Sequence, residues 1–561
     1  MSTQPSTISP PVGNAPPPPE RSFVRHAKLI GLLTFGSRIL GMLRESIAAR
    51  YFGAGLVQAA FTVAFTIPNL FRRLFGEGAL SAAFIPLYSQ ALKEQDREQA
   101  NRFAAASVNL LISILIGLTL LGEAILLAIW LLWEMRPDRL LAIRLTAIML
   151  PYVLLVCGTA FLGAVLQVHR RFGLVAAAPI VLNVALIGST VLGARIWDLN
   201  TEEGRVSAIV VVSISVLVAG VVQVLMLLPA LRGIGFRFQL VNFWTEPVKR
   251  MLKLSLPVAM GAGVLQISIL IDRAMSFLLA SSVDENGRMI EYFRLFGQTI
   301  HYPMEYGAAA RLAWAQYLYQ FPLGIFAIAL ATAIFPTLSA DALDRDRGKF
   351  KEGLRQGLRL ALLEGLPASV GLVLVAQPAV QVLFERGRFT PHDTQLVAGS
   401  LRFFASAIWA FSLAQILNRA FYSLRDTWTP LAMSLLTLAA DLGVKLCLIW
   451  SMGEQGMAVG TAVSFTMQVI VMVVLLQRRI GSLELGKVAA FALKIVIATA
   501  AMAGACLLVQ LAPFFPQGHE RSTALARLSI LLATGGVVYV GACSALGLPL
   551  LGHLIPKRFR K

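Results

Sequence analysis

The chain is 561 residues long, 57% hydrophobic and only 14% charged, with a mean hydropathy of +0.71. That composition excludes a soluble globular protein, which could not hide so much apolar surface. The formal net charge of +19 would point to nucleic acid in a soluble chain. Here the bases fall in short loops between apolar runs, where they set topology and meet anionic lipid, so nucleic acid is not an expected partner.

Residues 1–24 are rich in Pro and Ser, with an unbroken run from Pro16 to Pro19, and read as a disordered cytoplasmic tail. The tail has no apolar core of the signal-peptide kind, so the first span is expected to serve as its own insertion signal. Runs of about 20 apolar residues, each long enough to cross a bilayer, then give about fourteen spanning helices. The first six are 27–51, 57–88, 104–133, 141–167, 174–196 and 207–231. The next six are 252–280, 312–339, 358–384, 394–423, 430–450 and 457–476. The last two are 488–511 and 524–551. One alternate set of loops holds Arg170/Arg171, Lys249/Arg250, Arg478/Arg479 and the Lys557–Lys561 tail. The other set has roughly half as many bases, so the richer set is expected inside, with both termini cytoplasmic.

Residues 281–311 are too polar and aromatic to span, holding Asp284, Glu285, Glu291, Tyr292, His301, Tyr302 and Tyr306. They read as an extracytoplasmic insertion carrying a short surface helix, or as a plain loop. An internal echo links the second and eighth spans. Ile67-Pro68 and Phe84-Ile85-Pro86 in one correspond to Phe321-Pro322 and Ile334-Phe335-Pro336 in the other. Six spans separate them, which suggests two six-helix halves in the same orientation, a transporter pattern with its site between the halves. Chance similarity of Pro-containing helices is the plainer explanation. The expected organisation is 25–233 for an N-lobe, 234–480 for a C-lobe and 481–561 for two further helices and a basic tail.

Ionisable residues inside spans are costly and usually face a cavity or one another. The first span carries Arg38, Arg44 and Glu45; the second carries Arg72, Arg73 and Glu77 after the helix-breaking Pro68. The seventh carries Asp272 and Arg273, the eleventh Asp441 and Lys445. Glu123 and Lys494 read as interfacial or snorkelling side chains. Three or more arginines on two neighbouring spans suggest an anion site, because the guanidinium fork matches phosphate with two parallel hydrogen bonds. The six histidines are scattered, and the sequence has no HExxH, no P-loop and no Gly-x-Ser-x-Gly elbow. Cys157, Cys447, Cys506 and Cys543 lie in apolar runs without ligand spacing and read as packing residues. No enzyme, cofactor or metal site is expected.

The run Ser37-Arg38-Ile39-Leu40-Gly41, with Arg44 and Phe52-Gly53-Ala54-Gly55, resembles the MurJ (MviN) family of lipid II flippases. The stretch from Pro68 to Ser81 (PNLFRRLFGEGALS), closing with Phe84-Ile85-Pro86, is similar to that family's most specific motif. Gln320-Phe321-Pro322-Leu323-Gly324 and Phe421-Tyr422-Ser423-Leu424-Arg425-Asp426-Thr427 extend the likeness along the chain. The resemblance implies an all-α integral membrane protein of the multidrug/oligosaccharidyl-lipid/polysaccharide exporter superfamily, in the bacterial cytoplasmic (inner) membrane. It implies two six-helix lobes and two C-terminal helices lining a groove for a lipid tail. The implied activity is flipping of lipid II, an undecaprenyl-pyrophosphate-linked disaccharide-pentapeptide, by alternating access for peptidoglycan synthesis. A cationic cavity takes the pyrophosphate, and the matching residues here are Arg38, Arg44 and Arg72. Membrane lipids and cell-wall synthesis proteins are the other partners this implies.

Some departures matter. A usual acidic residue is replaced by Ala59, and a usual Asp-Arg pair by Gln316 and Tyr317, with Arg311 the candidate substitute for the absent arginine. The resemblance also implies a sodium site in some members, matched here by Asp272, Asp441 and Thr461, with Lys445 where a ligand is expected. Lys445 lies four residues after Asp441 on the same helical face, so it reads either as a tethered cation or as an ordinary ion pair. Export of another anionic lipid-linked oligosaccharide or a drug, and a non-transporting cell-wall scaffold, are the competing functions.

Overall fold

The computed structural model describes residues 20–76, 79–94, 97–284, 288–295, 297–325, 327–344 and 347–548. The tail before Glu20, Glu77, Glu285 and the basic residues Lys557 to Lys561 lie outside these. Among the described residues the chain forms eighteen α-helices, one π-helical turn and two small hairpins.

Helix α1 (Glu20–Phe52) takes in residues 20–24, which composition assigns to the tail. The second expected span is broken into α2 (Leu56–Phe71), the π-helical turn Arg72–Gly76 and α3 (Ala79–Glu94). Pro68 lies inside α2, which runs on as α-helix to Phe71, and the irregular turn begins a full turn beyond its ring, at Arg72. Helices α10 (Ala308–Ile325) and α11 (Ala327–Asp341) together cover the eighth expected span and count as one crossing, Ala308–Asp341. Pro68 and Pro322 each stand three residues before the end of their helix.

The remaining N-terminal helices are α4 (Arg97–Leu132), α5 (Pro137–Met149), α6 (Tyr152–Val168), α7 (Gly173–Ile196) and α8 (Glu202–Gly233). Then come α9 (Glu246–Leu278), α12 (Gly348–Phe384), α13 (Pro391–Ser406), α14 (Ile408–Ser423), α15 (Trp428–Met452) and α16 (Glu454–Ile480). Helices α17 (Leu485–Leu511) and α18 (Arg521–Ala545) end the described chain. The α5–α6 pair, the fourth expected span, bends by 42°, and so does the α13–α14 pair, the tenth. The packing repeats too. Helix α2 lies on α5 as α10 lies on α13, α6 on α8 as α14 on α16, and α7 on α8 as α15 on α16.

Among the described residues ten helices, α10 and α11 counted as one, are long and apolar enough to cross a membrane, or twelve if each bent pair is one span. The expected fourteen is reached only if α1 and the broken α2–α3 unit cross as well. Those two segments carry Arg38, Arg44, Glu45, Arg72 and Arg73, so the charges that depress their apolarity belong to the cavity described below. Large apolar side chains such as Leu120, Leu225, Leu508 and Val537 stand exposed, as a lipid-facing surface requires.

One buried core runs from Phe52 to Met251, a second gathers Ala280 to Ala458 around α10 and α13, and a third joins α11, α12 and α14 to α17 and α18. The insertion is β-structured, which corrects the expected surface helix. Strands β1 (Ser282–Val283) and β2 (Met289–Ile290) pair antiparallel, as do β3 (Tyr292–Leu295) and β4 (Gln298–His301). Tyr, Phe, Thr and Ile favour a pleated ribbon, and Gly297, at φ +78°, accepts the left-handed turn between β3 and β4.

Candidate functional site

A cavity of about 760 Å³ lies between helices α1, α2, α6, α7 and α8 on one side and α9 and α10 on the other. Arg38, Arg44 and Arg72 all line it, as do Arg73 and Arg273. The broken end of α2 and the π-helical turn supply Asn69, Arg72 and Arg73 to its wall. Polar side chains fill much of the rest, among them Gln58, Thr62, Gln167, Gln266, Gln316 and Gln320.

Arg44 is held on both sides. Its Nη1 donates to Asn183 Oδ1 at 3.1 Å, and its Nη2 pairs with Glu45. Asn183 Nδ2 in turn donates to the Ser37 carbonyl at 3.1 Å, tying α7 to α1. Glu45 also accepts from Trp314 Nε1 at 2.9 Å, which links α1 to α10. Arg38 reaches towards α10 as well: a Cβ at Gly324 would lie 2.7 Å from its Nη1. Tyr317 donates to the Arg38 carbonyl at 3.4 Å. Asn183, Trp314 and Tyr317 thus organise the arginines. The sequence signal for Asn183 was a lone carboxamide in an otherwise apolar run.

Beside the cavity-lining stretch, the end of α1 is tied to the α12–α13 connection. Arg388 N donates to the Arg50 carbonyl at 2.9 Å, and the Ser46 hydroxyl donates to the Leu383 carbonyl. Gly307, at φ +85°, lies so close to the Ala54 carbonyl that any Cβ would overlap it.

Arg311 does not replace a cavity arginine. It is 2% exposed, its Nε donates to Glu454 Oε1 at 2.9 Å, and its Nη1 lies 3.5 Å from Asp393. Starting nearly two turns before the Gln316–Tyr317 position, its side chain is drawn into this carboxylate cluster, away from the cavity-lining residues.

A second polar centre lies where α9, α15 and α16 meet. Lys445 Nζ donates to Asp272 Oδ1 and to Asp441 Oδ2, both at 2.5 Å. The side chains of Lys445, Asp272 and Asp441 are 1%, 14% and 8% exposed, so the ammonium and the Asp441 carboxylate are buried and Asp272 is nearly so. Thr461 donates back to the Met457 carbonyl at 3.3 Å, and Ser464, which the sequence did not single out, reaches Asp441 Oδ1 at 3.4 Å. A sodium ion does not fit this donor set, because the lysine ammonium occupies the position between the carboxylates and supplies the positive charge itself.

The comparisons with known proteins agree with this architecture. The family model described as "Lipid II flippase MurJ" matches residues 48–514. The chain belongs to that family. Similar curated MurJ relatives include a "Probable lipid II flippase MurJ" of Rickettsia prowazekii, 30% identical and aligned over 79% of this chain and 82% of the relative. Proteins of the same description from Rhizobium tropici and Bdellovibrio bacteriovorus are 31% and 29% identical, covering 82% and 94% of this chain and 81% and 95% of the relatives. Among solved structures, "Lipid II flippase MurJ, inward closed conformation" aligns with a TM-score of 0.71 at 22% identity, over 92% of this chain and 98% of that one. An inward-facing multidrug resistance MATE transporter of the MOP superfamily aligns with a TM-score of 0.60 at 14% identity, over 81% and 98%. These two likenesses place the fold among MurJ and MATE-like transporters.

Proposed function

We propose that this MurJ-family chain flips lipid II across the bacterial cytoplasmic membrane by alternating access, with the pyrophosphate held by Arg38, Arg44 and Arg72. The observation that carries this reading is the basic cavity itself, five arginines facing one carboxylate, Glu45, among the described lining residues. Guanidiniums inside a membrane protein are retained where a water-filled path and an anionic ligand use them. Family membership supports the substrate. Export of another anionic lipid or a scaffold role has no observation in its favour beyond the same cavity. Both termini are cytoplasmic in this reading, and the lobes are 25–233 and 234–480 with 481–561 outside them. The repeated helix packing supports that division. Cell-wall synthesis proteins are the partners it implies. Depleting the protein in its host should leave lipid II accumulated on the inner leaflet, and unchanged sidedness would overturn the proposal.

The Lys445 centre is read as a tethered cation, which makes transport independent of sodium. Its two short contacts to carboxylates on different helices support that role: Asp272 is on α9 and Asp441 on α15.

A further inference from the structure

Among the described residues, Arg273 forms no direct ion pair with a carboxylate, and Asp272 and Glu45 act on its charge only at longer range. Its Nη2 donates to Gln316 Oε1 at 2.6 Å and its Nη1 to the Ala309 carbonyl at 3.4 Å, and both acceptors are neutral. Among the described residues, no carboxylate oxygen comes within 4.0 Å of its guanidinium. The other buried cations are treated differently: Arg44 has Glu45, Arg311 has Glu454 and Asp393, and Lys445 has Asp272 and Asp441. Asp272, the neighbour of Arg273 in sequence, is engaged by Lys445. Yet Arg273 is only 8% exposed, and it lines the cavity.

Burying a guanidinium without a counter-charge is unfavourable, and neutral acceptors offset only part of the desolvation. A structural arginine at this depth would be expected to have a carboxylate, as Arg311 does. We infer that Arg273 is a further pyrophosphate-binding residue, the arm contributed by α9 to an anion site whose other arm is Arg38 on α1. The inference rests on the flippase reading of the cavity. Gln316 orients the guanidinium without cancelling its charge, and Gly324 leaves room for Arg38 to lie against the same helix, α10. An anion held by both arms ties α1 to α9, so binding is sensitive to how the two halves are set.

The test is binding of undecaprenyl pyrophosphate, with undecaprenol as the uncharged control, to the full-length protein in nanodiscs. Arg273→Gln should weaken pyrophosphate binding by about 10- to 100-fold, the worth of a charge-assisted contact, and leave undecaprenol binding unchanged. Arg273→Lys should lose less. Gln316→Glu keeps the guanidinium but places a carboxylate within its reach, so pyrophosphate binding should fall while the unfolding midpoint holds or rises. If Arg273→Gln does not fold, Gln316→Glu decides alone. Unchanged affinity in Gln316→Glu would make Arg273 structural and overturn the inference. If the unaltered protein binds undecaprenyl pyrophosphate no better than undecaprenol, the pyrophosphate reading of the whole cavity fails instead.

Discussion

Replacing Lys445 by Met removes the ammonium from between two carboxylates at 2.5 Å and leaves both in a site where the lysine is 1% exposed. Breaking a buried ion pair by deleting one partner typically costs about 3–5 kcal/mol, because the remaining charge is desolvated without compensation. Here two like charges remain, so the upper part of that range applies unless one carboxylate takes up a proton. Denaturation of the purified protein in mixed micelles should therefore show Lys445→Met less stable by about 3–5 kcal/mol at neutral pH, with part of the loss recovered as pH falls and a carboxylate protonates. Lys445→Asn supplies a neutral oxygen in place of the ammonium. It should acquire a sodium-dependent unfolding midpoint that the unaltered protein lacks. A Lys445→Met variant as stable as the parent, or a parent whose midpoint rises with sodium, would refute the tethered-cation account.

Three further outcomes follow from the geometry. Arg38→Ala should stop flipping while membrane insertion and the unfolding midpoint stay near the parent values, checked by parallel transport and thermal-shift measurements; loss of folded protein would show the arginine to be structural. Gly307→Ala, which puts a methyl group onto the Ala54 carbonyl at a positive φ, should push the segment before α10 away from the α1–α2 connection. Cysteine labelling of residues near Arg50 would then rise, and unchanged labelling would contradict the tight contact. In the loop before α15, burial alone would raise the Asp426 carboxyl, but hydrogen bonds from Thr429 and Arg479 outweigh it and hold the group below the ordinary carboxylate range. A depressed folded value gives stability that is present above about pH 4, the unfolded carboxylate value, and is lost as pH falls below it. Asp426→Asn should flatten that acid limb of a stability profile.

The apolar runs made most of the helices legible, since a span is set by length and hydropathy. Pro68 and Pro322 were readable as mid-helix prolines at matching places in the second and eighth spans. Pro151 stands at the first 42° bend, after Leu150, and could have flagged it; no proline stands at the second, at Ala407. The insertion was placed correctly between α9 and α10 but given the wrong local structure, because its polarity excluded a span without distinguishing a helix from a hairpin. At the site, the membrane cost of charge pointed to Arg38, Arg44 and Arg72, and heptad-like spacing of four put Lys445 beside Asp441. What sequence could not supply was pairing between distant helices. Arg311 and Arg273 look alike in an apolar run, yet one meets Glu454 from 143 residues away and the other the neutral Gln316 amide and Ala309 carbonyl. Trp314 and Asn183 read as packing and chance polarity until Glu45 and Arg44 are found against them.

The central claim is transport of a pyrophosphate lipid through the arginine cavity. It is tested most directly by reconstituting the purified protein in liposomes with fluorescent lipid II in both leaflets and following the label made inaccessible to an external quencher. The account predicts that lipid II protected in the inner leaflet becomes quenchable with the unaltered protein, without sodium, and stays protected with Arg38→Ala. Protection that persists with correctly folded, unaltered protein, or equal exchange with the Arg38→Ala variant, would contradict it.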